Sequence, residues 1–365
     1  MIELLDEPQR TDGAAPSFER VLERIGEVRE RLEIHMYVWR NDAIGNQIGK
    51  AVLEAAERGV EIKIRKDAGA LMYERIEMNR KSFFPEALST KLRIQYSLMG
   101  KTFPDTFIED DRDWELGKAL LAHPRVEIER VHHTHSKYYL FDEETLITGS
   151  INIEDRHRGY RDYMVEICGA EIVRRFRDRL QGEVPFDAGR SLDFLVNEVG
   201  RFEIKPVLLE LLAGVREKLY IEMAYIGDLD INQAIVEAAK RGVDVTVLFS
   251  RKANIGNDNN YHTLIKIWKQ CELRVFLSDQ MIHSKLMMFD EETVMTGSAN
   301  VSIFSMQKAV ELDIVVRDDP GFLAAVKRAV THRCGAGHLV ERYQDLDGYS
   351  RSLATLQDLH QKIIG

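Results

Sequence analysis

The chain contains two near copies of one 18-residue segment. Residues 135–152 read HSKYYLFDEETLITGSIN, residues 283–300 read HSKLMMFDEETVMTGSAN, and 12 of the 18 positions are identical. Most of the identical positions are polar, whereas a repeat kept only for packing would keep its apolar pattern instead. The duplication therefore predicts two equivalent units whose polar residues form one functional site in two halves.

A second pair of segments extends the duplication. Residues 51–62 (AVLEAAERGVEI) match residues 234–245 (AIVEAAKRGVDV) at 7 of 12 positions. The glycine of this pair lies 76 residues before the repeated histidine in the first half and 41 residues before it in the second. The first half therefore carries 35 more residues between the shared landmarks, and we place this insertion within about 66–123.

These landmarks predict two pseudo-symmetric units, residues 1–185 and 186–365. The boundary is placed in residues 181–190 (QGEVPFDAGR), whose proline and glycine content is typical of a connector. Within the insertion, residues 71–99 favour helices that either form a lid or substrate wall or only pack against the unit. Residues 101–115 are acidic but lack the spacing of a metal-binding loop, so we interpret them as a solvated loop.

Helical and strand patterns alternate along both halves. The elements predicted in the first half are a helix, a strand, a helix and a strand over 18–32, 33–39, 45–58 and 60–64. The elements predicted in the second half are a strand, a helix and a strand over 219–224, 231–241 and 243–249, followed by helices over 320–328 and near the C-terminus. Strands separated by helices predict an α/β fold in which each unit is a sandwich with a mixed sheet covered on both faces.

Composition indicates an ordinary globular protein, because 44% of the residues are apolar and 30% are charged. No stretch approaches the roughly 18 uninterrupted apolar residues of a membrane span, and the acidic, polar N-terminus does not resemble a signal peptide. Three widely spaced cysteines cannot form a fully paired disulfide set. The expected location is therefore the cytoplasm, with the inner membrane face open as a peripheral site. A net charge of −10 disfavours a nucleic-acid partner, although a local basic groove is compatible with it.

The repeated segment is predicted to form a β-hairpin that gathers polar side chains. Residues i and i+2 of a strand face the same way, so the two side chains of the His-x-Lys step project together. The Asp-Glu-Glu-Thr step is rich in turn formers, and a hairpin there returns the Gly-Ser-x-Asn step beside the His-x-Lys step. The side chains gathered in this way are His135, Lys137, Ser150 and Asn152 in the first copy, and His283, Lys285, Ser298 and Asn300 in the second.

This cluster suits a phosphodiester. Lysine, asparagine and hydroxyl groups supply the positive charge and the hydrogen-bond donors that non-bridging phosphate oxygens require. One histidine can attack phosphorus, and a second can protonate the departing oxygen and then deprotonate the incoming alcohol or water. The cluster contains no carboxylate ligands for a metal ion, so neither a metal nor another cofactor is expected.

The two copies resemble the phospholipase D superfamily, whose signature is His-x-Lys-x4-Asp, six residues, and Gly-Ser-x-Asn. Both copies match every fixed position, which are His135, Lys137, Asp142, Gly149, Ser150 and Asn152, and His283, Lys285, Asp290, Gly297, Ser298 and Asn300. The resemblance implies two α/β/α lobes with the site at their interface, a covalent phosphohistidine and no metal requirement. It also implies that the motif aspartates and glycines are structural and that the serines and asparagines bind the substrate phosphate.

The resemblance further implies an acidic residue after each motif that orients the histidine. By position, Asp162 and Glu311 are the candidates, with Glu166 and Asp313 as substitutes. Such a carboxylate fixes the imidazole tautomer and stabilises its cationic form.

Residues 159–170 followed by Phe176 resemble the aromatic-Arg-Asp segment of bacterial cardiolipin synthases. The N-terminal membrane segments of many such synthases are not expected here, which favours peripheral membrane contact with a phospholipid substrate. The leading hypothesis is transfer of a phosphatidyl group between phospholipids, with attack by His135 and proton transfer by His283, although the opposite assignment stays open. The alternatives are a phospholipase D-type hydrolase, a nuclease of the same superfamily and a binding module without chemistry. The oligomeric state is left open.

Several other side chains attract notice but are interpreted as structural. The adjacent His132 and His133 have no counterpart in the second copy. The histidine and cysteine residues between 332 and 338 have a spacing that fits no common zinc pattern. Methionines near the second copy are expected to fill gaps in the core. The histidine and cysteine residues are His332, Cys334 and His338, and the methionines are Met281, Met287, Met288 and Met295.

Overall fold

The structure is a computed structural model that describes residues 1–6, 16–75, 82–85, 90, 94, 114–254, 257–346 and 348–355. The chain divides into two compact units, Met1–Arg174 (unit 1) and Arg175–Gly365 (unit 2). The predicted boundary near 185 lies further along the chain than this division. Most of the predicted acidic loop, residues 101–113, lies outside the described residues.

A helix crosses the division, and its second half is bonded to unit 2. Arg175 forms an ion pair with Asp193 at 2.7 Å, and Arg179 forms another with Glu203. Arg179 also donates to the carbonyl of Phe194 at 2.9 Å. These arginine contacts hold the second half of the helix to unit 2, and the clustering of contacts divides the chain before residues 181–190.

Unit 1 is a seven-stranded mixed sheet with flanking helices. The order of its strands is β1-β7-β6-β5-β2-β3-β4, in which β2, β3 and β4 are parallel and the remaining pairs are antiparallel. Its elements are β1 Ile2–Asp6, α1 Pro16–Glu27, β2 Arg31–Met36, α2 Ala43–Glu57, β3 Glu61–Asp67, α3 Leu71–Arg75, α4 Glu115–Ala122, β4 Val126–Val131, β5 Tyr138–Phe141, β6 Thr145–Gly149, a 3-10 turn Asp155–Gly159, β7 Tyr163–Cys168 and the beginning of α5 Ala170–Gln181.

Unit 2 repeats this sheet and extends it to nine strands. The order is β16-β12-β11-β10-β13-β14-β15-β8-β9, with β10, β11 and β12 parallel. Its elements are β8 Leu192–Glu198, β9 Arg201–Phe202, α6 Ile204–Gly214, β10 Lys218–Met223, α7 Leu229–Lys240, β11 Asp244–Ser250, α8 Asn257–Trp268, β12 Arg274–Ser278, β13 Lys285–Phe289, β14 Thr293–Gly297, α9 Ile303–Gln307, β15 Glu311–Arg317, α10 Pro320–Ala336, β16 His338–Val340 and a 3-10 turn Tyr343–Asp345.

The two sheets share one seven-strand order. Strands β1, β7, β6, β5, β2, β3 and β4 correspond in sequence to β8, β15, β14, β13, β10, β11 and β12. The predicted α/β fold with a mixed sheet in each of two units is therefore confirmed. In both units the helix between the first two parallel strands ends before a glycine with positive φ, 105° at Gly59 and 96° at Gly242, a conformation that glycine adopts without a Cβ clash.

One predicted helix is too long. The apolar spacing predicted a helix over 18–32, but α1 ends at Glu27 and Leu32 lies in β2. The physical reason is a distant side chain: Asp142 accepts hydrogen bonds from the backbone N–H groups of residues 29–31 and turns the chain into the strand. The spacing of apolar residues carries no information about a partner more than 100 positions away.

Each unit has its own apolar core between sheet and helices. In unit 1, side chains of β2 such as Ile34 pack with α1 and α2 residues such as Ile25 and Ile48. In unit 2, Met287 and Met295 belong to the core, and Met281 and Met288 are also buried. The interpretation of these methionines as core residues is confirmed.

The described parts of the insertion pack onto unit 1. Phe83 stacks on Trp39 with ring centroids 4.8 Å apart, and Phe84 meets the same indole edge-on. The Trp114 indole N–H donates to the carbonyl of Ser82 at 2.8 Å. Phe83 and Phe84 thus attach the middle of the insertion to the segment that follows β2, and Trp114 is bonded to that attached part.

Candidate active site

Each repeated segment forms the predicted hairpin, β5–β6 in unit 1 and β13–β14 in unit 2. The turn residues Asp142 and Glu143 have positive φ, as do Asp290 and Glu291, which suits a tight hairpin turn. At the open end, the Thr148 hydroxyl donates to the Lys137 carbonyl at 3.0 Å. The same bond recurs between Thr296 and Lys285 at 2.8 Å. The hairpins therefore bring the His-x-Lys step and the Gly-Ser-x-Asn step of each motif to one end of the sheet.

The motif aspartates lie at the opposite, turn end of the hairpins. Asp142 accepts from the N–H groups of Arg29, Glu30 and Arg31 at 2.8–2.9 Å. Asp290 accepts in the same way from residues 216–218. Burial disfavours the Asp290 carboxylate, but the three N–H groups outweigh it and hold its pKa below the usual value. Both aspartates thus attach the hairpin turn to the beginning of the neighbouring strand.

The motif glycines allow a close strand contact. A Cβ on Gly149 would collide with the Tyr163 carbonyl, and a Cβ on Gly297 would collide with the Leu312 carbonyl. Gly149 pairs with Met164 across the sheet, and Gly297 pairs with Asp313. The strand that carries the downstream acidic residue therefore runs directly beside the motif.

This register makes Asp162 and Glu311 equivalent. Each lies two residues before the partner of its motif glycine, although Asp162 follows its asparagine by ten residues and Glu311 follows by eleven. Ser150 donates its hydroxyl to Asp162, and Ser298 donates to Glu311. Both carboxylates are fully buried. The structure thus brings each predicted acidic residue into direct contact with its own motif.

The substitute candidates occupy different places. Glu166 lies further along β7 and forms ion pairs with Arg20 and Arg24 of α1, so it anchors a helix. Asp313 is buried beside the motif and accepts from the Ala299 N–H at 3.0 Å. Burial, with the nearby Glu311 charge adding to it, raises the pKa of Asp313 to about 7.

The histidine and lysine of unit 1 share an aromatic neighbour. The Lys137 ammonium is buried, donates to the His135 carbonyl and lies 5.3 Å from the centre of the Tyr37 ring. The His135 ring meets the same tyrosine edge-on at 4.8 Å. Tyr37 in turn contacts Tyr73 of α3, in the insertion, at 5.9 Å. The sequence offered no sign of these tyrosines, because neither lies in a repeated segment.

In unit 2 the lysine contacts the imidazole directly. The Lys285 ammonium lies 3.3 Å from Nδ1 and 3.4 Å from Nε2 of His283 and also donates to its carbonyl. Both side chains are buried. The expectation that the His-x-Lys side chains project together is met here within hydrogen-bond distance.

The motif asparagines differ in their support. Asn152 Oδ1 accepts from the Val38 N–H at 3.3 Å, and its Nδ2 lies 3.4 Å from Nε2 of His157. Among the described residues, Asn300 Oδ1 is buried without a hydrogen-bond partner. The Asn152 side chain therefore has a contact at both its oxygen and its nitrogen. The Asn300 oxygen has no hydrogen-bond partner among the described residues.

His157 is a residue that the sequence analysis missed. It lies in the 3-10 turn Asp155–Gly159, is 1% exposed, and places Nδ1 3.2 Å from Oδ2 of Asp162. Its Nε2 lies 3.1 Å from Oε1 of Glu154. The only available signal was a difference between the copies, because five residues after the motif asparagine the first copy has histidine and the second has Ser305.

The remaining histidines noted in the sequence lie elsewhere. His132 and His133 are exposed next to β4, with ring centroids 6.5 Å apart. His332 and Cys334 lie on α10, and His338 forms an ion pair with Asp279 at 2.8 Å.

Each unit therefore presents one imidazole, one ammonium, one amide and a serine bonded to a buried carboxylate at the end of its sheet. These groups can neutralise and orient a phosphoryl group, and the imidazole can act as nucleophile or as acid and base. This combination, duplicated on two α/β units, defines an enzyme of the phospholipase D type.

Comparison with known proteins agrees with this class. The family described as "Cardiolipin synthase, PLD-like domain" matches residues 21–183 and 208–332. The chain belongs to this family and is a phospholipase D superfamily enzyme. Cardiolipin synthase B of Escherichia coli K12 is 22% identical over 331 residues, which cover 82% of this chain and 73% of that protein. Cardiolipin synthase A of Proteus mirabilis is 23% identical over 343 residues, covering 83% of this chain and 64% of that protein.

A solved structure shares the fold along the whole chain. The phosphatidylserine synthase of Haemophilus influenzae superposes with a TM-score of 0.71 at 14% sequence identity, covering 100% of this chain and 93% of that one. Among the described residues, no helix has the length and hydropathy needed to span a bilayer.

Proposed function

We propose that this enzyme transfers a phosphatidyl group from one phospholipid to a hydroxyl of another, as the names of its cardiolipin synthase relatives suggest. The observation that carries the proposal is the doubled motif. Both copies are intact, and each is built with its own lysine, serine, asparagine and buried carboxylate. A binding module would not need two complete sets of reactive groups.

In the proposed mechanism one phosphorus contacts both motif histidines. His135 attacks the phosphorus of the first phospholipid, the bond from phosphorus to the leaving alcohol breaks, and His283 gives its proton to that oxygen. The hydroxyl of the second phospholipid then passes its proton to His283 and attacks the phosphohistidine. His135 is released, and the product is a phosphodiester that joins the two lipids.

The other site residues stabilise charge in this proposal. Lys137 and Lys285, with Asn152 and Asn300, bind the non-bridging oxygens, where negative charge grows as the nucleophile attacks. Asp162 and Glu311 accept the serine hydroxyls and favour the cationic form of the motif histidines. The lysine ammonium groups supply the positive charge for which many phosphoryl-transfer enzymes use a metal ion.

The test is incubation of the purified full chain with phosphatidylglycerol in mixed micelles, followed by mass spectrometry of the lipids. Two phosphatidylglycerols should give cardiolipin and glycerol, and the yield should be the same in EDTA. His132→Ala, a change to an exposed histidine outside the motif, serves as the control and should retain full activity.

Other products would redirect the proposal. Phosphatidic acid as the sole product would mean that water resolves the intermediate and that the enzyme is a hydrolase. Cleavage of DNA with unchanged lipid would support a nuclease, which the net charge of −10 disfavours. Strict dependence on a divalent ion would contradict the proposed role of the lysines.

A further inference from the structure

A tyrosine outside the motif contacts both reactive groups of unit 1. Tyr37 is the first residue after β2. Its ring centre lies 4.8 Å from that of His135, with an angle of 67° between the ring planes, and 5.3 Å from the Lys137 ammonium. Lys137 is fully buried, whereas Tyr37 and His135 are half-buried. One ring therefore lies against the imidazole and the ammonium together.

The face of the Tyr37 ring suits this position beside a lysine. An ammonium within about 6 Å of the centre of an aromatic ring is attracted by the negative potential of the ring face, more strongly where water is excluded. Burial raises the pKa of the Tyr37 phenol well above its usual value, so the phenol is neutral. A neutral ring can hold the Lys137 ammonium without cancelling the charge that this lysine would present to a phosphate.

The insertion in unit 1 braces this tyrosine. Its helix α3 carries Tyr73, whose ring centre lies 5.9 Å from that of Tyr37. The buried Arg40 donates to the backbone carbonyls of Tyr73 and Glu74 at 2.8 Å each. The buried Glu74 carboxylate accepts from the Trp39 N–H at 2.8 Å. These bonds fix α3 beside the segment that follows β2, so Tyr73 is held in place against the Tyr37 ring.

The corresponding position of unit 2 holds alanine. Tyr37 and Ala224 are the first residues after β2 and β10, which pair with β5 and β13 in the same register. The hairpin of unit 2 thus forms beside a small residue, so an aromatic ring at this place is not a requirement of the hairpin. Substitution of Tyr37 is therefore expected to leave unit 1 folded.

We propose that Tyr37 is a positioning residue for the proposed phosphatidyl transfer: the face of its ring holds the Lys137 ammonium, the same ring orients the His135 imidazole, and Tyr73 braces it. Tyr37 acts through these two side chains. The α3 part of the insertion then serves the site as well as packing against unit 1. The inference rests on the proposed function, because it concerns the rate of reaction at the same site.

The test changes the electrostatic potential of the ring while it keeps the shape. In the full chain, Tyr37 is replaced by phenylalanine, by a difluorinated phenylalanine or by pentafluorophenylalanine, the last two through a reassigned stop codon. Fluorine withdraws electron density from the ring, so the attraction of its face for an ammonium weakens along this series. Tyr37→Leu removes the ring altogether, and Tyr73→Leu removes only the brace.

The chain offers a matched control in unit 2. The Lys269 ammonium also lies 5.3 Å from the centre of a tyrosine ring, that of Tyr343, and neither residue belongs to a motif. The same replacements at Tyr343 control for the incorporation of fluorinated residues and should leave activity unchanged.

The measurement uses a phospholipid ester of p-nitrophenol. The first burst of p-nitrophenol gives the number of active sites by its amplitude and the rate of phosphohistidine formation by its time course. Steady-state turnover of phosphatidylglycerol and the melting temperature are measured for the same variants.

We expect Tyr37→Phe to form the adduct within about threefold of the wild-type rate, because the ring face is kept. Pentafluorophenylalanine should be slower than phenylalanine by about tenfold per active site, with the difluorinated residue between them and the melting temperatures nearly equal. Tyr37→Leu should be at least as slow as the pentafluorinated variant. Tyr73→Leu should be slower than the wild type by about threefold, the effect of one aromatic pair. The KM for phosphatidylglycerol should change little, so the losses should appear in kcat.

The outcomes distinguish this inference from the function on which it rests. A wild-type chain that forms no adduct and no cardiolipin would refute the proposed function. If the wild type reacts but phenylalanine and pentafluorophenylalanine give equal rates, the ring only packs and the positioning role is wrong. A Tyr37→Phe variant as slow as Tyr37→Leu would assign the effect to the hydroxyl and not to the ring face. A fall only in burst amplitude and melting temperature would show that Tyr37 is merely structural, and an unchanged rate in Tyr73→Leu would refute the brace.

Discussion

The two halves of the candidate site carry the same motif on different supports. Behind the motif of unit 1 lies His35, which contacts Thr134 and Ser136 and whose pKa burial lowers to about 3, so the ring is neutral. The same strand position in unit 2 holds Glu222, which accepts from Ser284 and forms a buried ion pair with Arg333. A neutral cluster in one unit is replaced by an ion pair in the other.

The carboxylates beside the motifs differ in the same manner. Asp162 is bonded to His157, whereas Glu311 lies beside the second carboxyl group of Asp313. In unit 1, the position that corresponds to Asp313 is occupied by Met164. The duplication has preserved the groups that would touch a phosphate while the layer beneath them has diverged. We infer that the two motifs have different roles, one as nucleophile and one as acid and base.

The largest expected effect comes from removing either motif histidine. His135→Ala and His283→Ala should each reduce turnover of phosphatidylglycerol by about a thousandfold or more, as loss of one member of a joint catalytic set does. The p-nitrophenyl ester separates the roles, because p-nitrophenolate leaves without a proton. With this ester, His283→Ala should release one equivalent of p-nitrophenol and remain labelled, and His135→Ala should release none.

The reverse pattern, a burst in His135→Ala alone, would exchange the two roles and keep the shared site. Full turnover of phosphatidylglycerol by either variant would contradict a site that needs both histidines.

The next effect concerns stability, and it compares the layers beneath the two motifs. Arg333→Met should lower the free energy of unfolding by about 3–5 kcal/mol, because it leaves the Glu222 charge buried without its partner. His35→Gln in unit 1 should cost only about 1 kcal/mol, since neutral hydrogen bonds are lost. Denaturant titration measures both changes.

The double variant Arg333→Met/Glu222→Gln is the matched control and should recover most of the loss, because it removes the buried charge. If Arg333→Met lowers the free energy of unfolding no more than His35→Gln does, the Glu222–Arg333 ion pair does not stabilise unit 2 in the way that this comparison expects.

The smallest effect is the pH dependence that Asp313 gives unit 2, for which Met164 at the equivalent position of unit 1 has no counterpart. The folded-state pKa of Asp313 is raised to about 7 from 3.8, so the protonated form is favoured by folding. Its contribution to stability is complete below pH 3.8 and declines as the pH rises through about 7. Asp313→Asn, which resembles the protonated acid, should therefore be more stable than the wild type at pH 8 and nearly equal to it at pH 4.

Thermal unfolding at the two pH values measures this difference. Met164→Leu, at the equivalent position of unit 1, should leave the pH dependence of the wild type unchanged. The same pH dependence in Asp313→Asn as in the wild type would show that Asp313 is not the titrating group.

Much of the fold could be predicted because its signals are local. The hairpins follow from turn formers between short apolar runs, and the helices that precede Gly59 and Gly242 follow from their spacing and their final glycine. Asp162 and Glu311 could be named because the family resemblance implies an acidic residue at nearly the same distance after each motif, but their contacts with Ser150 and Ser298 were not predicted. The end of α1 was not predictable, since it depends on a polar contact more than 100 positions away.

The sequence by itself determined the class of this protein: two intact copies of a histidine–lysine motif, each on a hairpin of a mixed α/β sheet. Short-range hydrogen bonding and the alternation of apolar residues depend on neighbouring positions, so both can be predicted from the sequence. Only the tertiary structure decided what supports each copy. His157, Glu222 and Arg333 acquire their roles from partners brought together by folding, and a buried charge or ring can be assigned only when its partners are known.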